Sequence, residues 1–174
     1  LPLNRRRRDA AVLEATETML ASKKGYQHQR NTIKATIGNV SELGLNDVVV
    51  EKIESQRLVV LDVEVNGERF LTYRADGIVV ATSTGSTAYG FSAGGPLIDP
   101  RVETLLVTPV APHSLFDRSL VMPPDSRIVI TVTDDRPVRV SVDGREIGSL
   151  REGESVEIGQ AQRRARFIRL SNEG

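Results

Sequence analysis

The residues best suited to chemistry lie in one stretch, residues 76–96, where small hydroxyl side chains and glycines follow an apolar run. Ile78 to Ala81 is apolar enough for a buried strand, and residues 82–87 are all Ser, Thr or Gly. A helix-like segment, roughly Ser86 to Ala93, ends at the Gly-Gly-Pro of residues 94–96. A strand, a small-residue loop and a helix N-terminus together present backbone N–H groups that suit a nucleotide. The same residues are also ordinary loop and capping residues. Both interpretations stay open from composition alone.

The overall composition restricts the classes of protein that this chain can represent. Its 174 residues are enough for one well-cored domain, and 23 basic residues balance 23 acidic residues. A net charge of zero argues against broad electrostatic binding, so we expect neither nucleic acid nor a membrane as partner. Cysteine is absent and the only histidines are His28 and His113, which argues against a metal site. No apolar run is long enough for a membrane span or a signal peptide, so we expect a cytoplasmic protein.

Short strands dominate the chain around this stretch. Residues 9–22 have the period of one amphipathic helix, whereas from about residue 31 the period changes to two. Asn66-Gly67 separates two alternating runs and is a strong hairpin signal, and Asp143-Gly144 turns the chain in the same way. The predicted strands lie near residues 33–37, 45–53, 57–65, 68–73, 78–81, 104–107, 126–133, 137–142, 145–150, 155–158 and 165–170. This pattern predicts a mainly β protein, a multi-stranded β-sandwich with one N-terminal helix and one short helix after Thr84–Tyr89.

Thr84-Gly85-Ser86-Thr87-Ala88-Tyr89, followed by Ser92-Ala93-Gly94-Gly95-Pro96, resembles the nucleotide-binding signature of the NAD kinase family. Three further landmarks occur in the family's order: Asn46-Asp47, Pro112-His113-Ser114-Leu115 and Val142-Asp143-Gly144-Arg145. The resemblance covers about residues 28–170 and is to the family's C-terminal β-sandwich domain. It implies an interdomain helix over residues 1–27 and an NAD-binding and oligomerisation domain over residues 28–174. The Gly-Gly-Asp-Gly motif of the family's N-terminal α/β domain, which binds ATP, does not occur in the sequence. We therefore expect that domain to be absent from this chain, which would be a fragment or a separately encoded domain.

The resemblance implies a reaction in which this chain supplies recognition of the acceptor. In the family, a phosphoryl group passes from ATP or polyphosphate to the 2′-hydroxyl of the adenosine ribose of NAD, giving NADP. NAD is then the substrate, and ATP or polyphosphate and Mg²⁺ serve the full enzyme, bound mainly outside this chain. Because the catalytic base is attributed to the Asp of the missing motif, no catalytic residue is assigned here and the isolated chain is expected to be inactive. The family also implies a homo-oligomer, a dimer or tetramer, formed through the β-domains.

Individual side chains fit the recognition of a dinucleotide. The Asn46 amide can pair with an adenine edge and the Asp47 carboxylate can accept two ribose hydroxyls, although without the resemblance the pair is a turn and a strand cap. Tyr89 offers a ring for stacking, although a single tyrosine is more often a core residue. The resemblance implies an NAD site and no metal ligands in this chain; the site residues are Asn46, Asp47, Arg57, Arg74, Asp76, Thr84, Thr87, Ala88, Tyr89, Ser92, Ala111, His113 and Arg145.

Other functions remain open beside this one. The domain could be a non-catalytic sensor that binds NAD or NADP, or an interaction module whose pocket is vestigial. A relative of the lipid or diacylglycerol kinases would share the two-domain plan. The intact Thr84–Tyr89 signature and the Pro112-His113 loop argue against that last alternative.

Overall fold

The computed structural model describes residues 25–170, whose regular secondary structure is almost entirely β-strand. One compact unit comprises residues 30–165, and β1 and β14, which pair in a two-stranded sheet, belong mainly to a second unit. The strands are β1 (Gly25–Arg30), β2 (Ile33–Ile37), β3 (Val40–Gly44), β4 (Asp47–Lys52), β5 (Val59–Val65), β6 (Glu68–Ala75), β7 (Gly77–Thr82), β8 (Leu105–Val110), β9 (Leu120–Met122), β10 (Ile128–Val132), β11 (Val138–Val142), β12 (Arg145–Leu150), β13 (Ser155–Gln160) and β14 (Ala165–Leu170). A 3-10 turn (Thr84–Thr87) and a one-turn helix α1 (Tyr89–Ser92) lie between β7 and β8.

The larger unit contains two six-stranded antiparallel sheets. Sheet A has the strand order β3-β2-β13-β10-β5-β6, and sheet B has the order β12-β11-β4-β7-β8-β9. Every neighbouring pair in the two sheets is antiparallel. Two-residue turns therefore suffice for several connections, and no crossover helices are needed. This topology confirms the prediction of a mainly β, multi-stranded architecture.

Alternation along the strands supplies the core between the two sheets. In sheet A the buried side chains of β10 are Ile128, Ile130 and Val132, all fully inaccessible. In sheet B, Val48 of β4 and Val80 of β7 belong to the same buried cluster. Side chains from both sheets thus fill one apolar layer, which is the packing of a β-sandwich.

Strand β7 is buried on both faces, which explains the continuous apolar run in the sequence. On its outer face, Val79 and Ala81 form a second small cluster with Val49 of β4 and Leu106 of β8. Apolar side chains from the segment after the motif, among them Ile98, pack against this cluster. The loop that follows β7 therefore folds back over the outer face of sheet B, where it is held beside the start of β4.

The sequence predictions for single elements have different outcomes. The hairpin at Asn66-Gly67 is confirmed, with positive φ angles of 54° and 87° that match a type I′ turn. Strands β1, β3 and β9 were not predicted. β3 lies at a sheet edge and most of its side chains are exposed, so it lacks an apolar alternation, and β9, at the edge of the other sheet, has only three residues, too few for a period of two to be recognised. The helix predicted over residues 9–22 lies outside the described residues. The domain boundaries at residues 27 and 28 stay a prediction.

Candidate nucleotide site

The hydroxyl side chains after β7 divide into a buried set and an exposed set. Ser83 and Ser86 are buried, and the Ser86 hydroxyl donates to the Ser83 carbonyl oxygen at 2.8 Å and accepts the Ile98 N–H at 3.1 Å. Thr87 and Ser92 are exposed, so their hydroxyls are accessible to a ligand. The buried hydroxyls therefore hold the loop together. The exposed Thr87 hydroxyl also donates to the Thr84 carbonyl oxygen at 3.2 Å, and its oxygen can still accept a hydrogen bond from a ligand.

A short helix follows the loop, as expected, but it consists of two separate turns. The 3-10 turn Thr84–Thr87 and the α-helical turn Tyr89–Ser92 are interrupted at Ala88, whose φ and ψ of −94° and −133° are not helical. Such short helical turns have only a small dipole, so the nucleotide-binding surface expected at a helix N-terminus loses its main physical support. Side chains around the loop must therefore supply most of the recognition.

The loop after β7 is in direct contact with the segment that enters β4. Asn46 accepts the Thr82 N–H through its carbonyl oxygen at 2.8 Å, and the Thr82 hydroxyl donates to the Leu45 carbonyl oxygen at 2.7 Å. Gly85 lies directly on the Asn46 backbone, since a Cβ built on Gly85 would stand 2.7 Å from Asn46 Cα. The Asn46-Asp47 pair and the Thr84–Tyr89 motif, which are about 40 residues apart in the sequence, thus form one site.

Asp47 is the most buried charged residue of this site, with only 4% of its surface exposed. Burial raises the pKa of the Asp47 carboxyl, the nearby charge of Asp143 raises it further, and a hydrogen bond from the Tyr89 backbone N–H lowers it. A carboxylate that has lost water on most sides gains from hydroxyl donors. The position therefore suits a ligand with sugar hydroxyls.

The side chain of Tyr89 lies close to several carboxylates and remains partly open to solvent, with 38% of its surface exposed. Partial burial raises the pKa of its hydroxyl, and the negative charges of Glu51 and Asp76, together with that of Asp47, raise it further. The acidic groups around Tyr89 form one wall of the site, which repels an unshielded phosphate and attracts hydroxyl and amide donors. This wall therefore fits the nucleoside part of a nucleotide better than its phosphates.

A second wall is formed where the end of β6 runs beside the loop after β8. The Asp76 N–H donates to the Val110 carbonyl oxygen at 2.9 Å, and the His113 N–H donates to the Arg74 carbonyl oxygen at 2.7 Å. The Asp76 carboxylate is paired with the Lys52 ammonium. Ala111 has a positive φ of 44°, a strained conformation for alanine that is fixed by its surroundings. Four of the predicted site residues, Arg74, Asp76, Ala111 and His113, are therefore neighbours.

Two residues of the predicted NAD site, Arg57 and Arg145, lie away from the other site residues. Arg145, at the start of β12, forms an ion pair with Glu42 of β3, which is a sufficient structural reason for its charge. Arg57 lies exposed in the connection between β4 and β5. Within residues 25–170, neither side chain forms a hydrogen bond or an ion pair with Asn46, Asp47 or Tyr89.

Three charged residues near the site were missed by the sequence reasoning. Glu51 has the same orientation in β4 as Asp47, so a period of two from Asp47 could have revealed it. Lys52 has no sequence signal for its pairing with Asp76. Asp143 was explained by its turn alone, yet its carboxylate contacts the backbone at Asn46.

Neither a metal site nor a membrane span is formed by residues 25–170. Within this range no group of three or more His, Cys, Asp or Glu residues is placed to hold a metal ion. No helix among the described residues has the length and apolar character required to cross a membrane.

The fold defines an antiparallel β-sandwich domain, and the acidic, hydroxyl-bearing outer face of sheet B is suited to a ligand rich in hydroxyl and amide groups. A family model described as the ATP-NAD kinase C-terminal domain matches residues 45–170. The chain therefore belongs to the family of ATP-NAD kinase C-terminal domains.

Individual relatives agree with this family. NAD kinase 1 of Streptomyces avermitilis is 47% identical over 127 residues, which cover 72% of this chain and 36% of the relative. The crystal structure of yeast NADH kinase complexed with NADH has a TM-score of 0.81 at 27% identity, covering 92% of this chain and 49% of that one. An NAD kinase from Archaeoglobus fulgidus in complex with ATP has a TM-score of 0.73 at 26% identity, covering 91% and 60%. The chain spans 36% to 54% of the length of the first three curated relatives.

Proposed function

We propose that this chain is the acceptor-binding domain of an enzyme that phosphorylates NAD at the 2′-hydroxyl of its adenosine ribose, with ATP or polyphosphate as donor. The family membership supports this activity, and the observation that carries the proposal is the junction of Asn46-Asp47 with the Thr84–Tyr89 loop. The buried Asp47 carboxyl lies near Tyr89 there, and the Asn46 backbone is in contact with Thr82 and Gly85. A cytoplasmic location is part of the proposal.

The contribution of this chain is to bind and orient the acceptor. The Asp47 carboxylate would accept ribose hydroxyls, the Asn46 amide would pair with the adenine edge, and the Tyr89 ring would stack on the base. Thr87 and Ser92 offer further hydroxyls at the open side of the loop. Orienting a hydroxyl for in-line attack is a major part of phosphoryl-transfer catalysis. ATP or polyphosphate and Mg²⁺ would be bound mainly outside this chain.

Titration calorimetry of the 174-residue chain tests the proposal. We expect NAD, NADH or NADP to bind in the absence of ATP. In a Thr87→Val, Tyr89→Ala double variant the Kd should increase by roughly 5-fold to 150-fold, because stacking on an aromatic ring is worth about 1–3 kcal/mol per base. Phe70→Ala is a matched control, since Phe70 is an exposed aromatic residue of sheet A, and it should leave the Kd unchanged.

Two outcomes would overturn parts of the proposal. Equal NAD affinity in the double variant and its parent would refute the site. ATP-dependent phosphorylation of NAD by this chain alone would refute the placement of the catalytic base elsewhere.

We also propose that copies of this chain associate through the loop after β8, which contains His113. The support is a pair of exposed apolar side chains, Leu115 and Phe116, directly after His113. Sedimentation velocity should give the mass of a dimer or tetramer, and Leu115→Ser should reduce it. Val40→Ser, at an exposed apolar position of β3, should not reduce it. A monomeric parent chain would refute the association.

A further inference from the structure

Asp143 and Gly144 form the two-residue turn between β11 and β12. Their φ angles are 47° and 75°, which fit a type I′ turn with positive φ at both central residues. Asn and Gly satisfy this geometry as well as Asp does. The turn by itself therefore does not require a carboxylate at position 143.

The Asp143 carboxylate makes contacts that a turn does not need. Its Oδ2 accepts the Leu45 N–H at 2.7 Å, and its Oδ1 accepts the N–H groups of Asn46 and Asp47 at 2.8 and 3.1 Å. In return, the Asp143 N–H donates to the Asp47 carbonyl oxygen at 3.0 Å. One side chain thus binds three consecutive backbone N–H groups that lie about 100 residues away in the sequence.

Gly44 provides the space for this contact. A Cβ built on Gly44 would stand 2.6 Å from Val142 Cγ1 and 3.1 Å from Asp143 Oδ1. The other side of the segment is held by Thr82, whose hydroxyl and N–H donate to the carbonyl oxygens of Leu45 and Asn46. Both polar sides of the backbone before β4 are therefore fixed by side-chain and main-chain partners.

We propose that Asp143 is a positioning residue of the dinucleotide site: its carboxylate fixes the backbone of residues 45–47 and thereby aims the Asn46 and Asp47 side chains at the ligand. This inference rests on the proposed function, because it assigns the aimed side chains to NAD. It implies that the hairpin turn β11–β12 is a functional part of the site.

The charge of Asp143 has an electrostatic cost that the turn alone does not explain. Burial raises the pKa of the Asp47 carboxyl, and the Asp143 charge adds to this effect. Two carboxylates near each other oppose one another, and an Asn at position 143 would avoid that cost while keeping the turn. A carboxylate is needed where more than one N–H must be accepted through both oxygens.

Two variants separate the carboxylate from the turn. Asp143→Gly keeps the positive φ and removes every side-chain contact, whereas Asp143→Asn keeps one oxygen for the Asn46 and Asp47 N–H groups. Asn66→Gly is the matched control, because Asn66 lies at the first position of the other type I′ turn and its Oδ1 accepts the Arg127 N–H at 2.9 Å.

Two measurements test the proposal: titration calorimetry with NAD, and amide hydrogen exchange on the ligand-free chain. We expect the Kd for NAD to rise by about tenfold or more in Asp143→Gly, since displacing Asn46 and Asp47 weakens the hydrogen bonds that both side chains are proposed to make with the ligand. Asp143→Asn should show a smaller rise, and Asn66→Gly should show none. Exchange of the amides of residues 45–47 should accelerate in Asp143→Gly and not in Asn66→Gly.

The outcomes distinguish this inference from the proposed function. An unchanged Kd in Asp143→Gly would overturn the positioning role. If the parent chain binds no NAD, the proposed function fails and hydrogen exchange in Asp143→Gly tests the role of Asp143. Faster exchange at residues 45–47 than in the parent supports the fixing of this backbone by Asp143, and unchanged exchange overturns it. If Asp143→Gly does not fold, as judged by its thermal unfolding, the same two measurements on Asp143→Asn decide the question.

Discussion

Replacing Gly85 by alanine is the sharpest perturbation of this site, because Gly85 lies against main chain rather than against a movable side chain. Its φ is negative, as is that of Gly90, so alanine meets no conformational penalty at either position. A Cβ on Gly85 would lie 2.7 Å from Asn46 Cα and closer still to the carbonyl group of Asn46. A Cβ on Gly90 would lie 3.7 Å from the Ala81 Cβ, which is an ordinary contact.

The expected magnitude follows from these distances. Overpacking costs about 1–3 kcal/mol, and the clash at Gly85 is with backbone that cannot rotate away. It also displaces the Asn46 carbonyl oxygen that accepts the Thr82 N–H at 2.8 Å, a bond worth about 1 kcal/mol. We therefore expect Gly85→Ala to lower the free energy of unfolding by about 3 kcal/mol. Gly90→Ala should change it by less than about 1 kcal/mol.

Urea denaturation and NAD titration of both variants measure this difference. Gly85→Ala should also weaken NAD binding by about tenfold or more, because the displaced Asn46 loses the hydrogen bonds that it is proposed to make with the base. The reasoning is refuted if Gly85→Ala and Gly90→Ala have the same unfolding midpoint, or if Gly85→Ala alone retains the parent's NAD affinity.

Three further substitutions follow from single side chains. The folded-state pKa of Asp47 lies above its ordinary value of 3.8, so the folded protein binds this proton more tightly and loses stability as pH rises between the two pKa values. Asp47→Asn should therefore be more stable than the parent at pH 7, with a difference that closes below about pH 4 in urea titrations at several pH values, while NAD binding falls. Ser86→Ala removes the hydroxyl that accepts the Ile98 N–H and should cost about 1–3 kcal/mol of unfolding free energy; a loss below about 0.5 kcal/mol would contradict this. Tyr73 is fully buried, its pKa is raised to about 12 by burial, and its hydroxyl has no hydrogen-bond partner within residues 25–170. Tyr73→Phe should therefore raise the thermal unfolding temperature, by the equivalent of about 1 kcal/mol, and a lower temperature would count against an unpaired hydroxyl.

Local chemistry in the sequence was enough to predict most of the fold. A period of two gives the strands with one buried face, such as β10 with Ile128, Ile130 and Val132. Asn66-Gly67 gives its hairpin because both residues adopt positive φ readily. The edge strand β3 was not predicted, because it is a strand through its pairing with β2 and not through a buried face.

Sequence alone determined the residue types of the site, and the tertiary structure decided which of them can meet a ligand. Thr84–Tyr89 identified the motif, yet only packing against sheet B separates the buried Ser86 from the exposed Thr87. The contact of Asp143 with Asn46 depends on the pairing of β11 with β4. The physical reason is that these hydrogen bonds depend on which distant strands pair with one another, and the local pattern of a strand does not identify its partner.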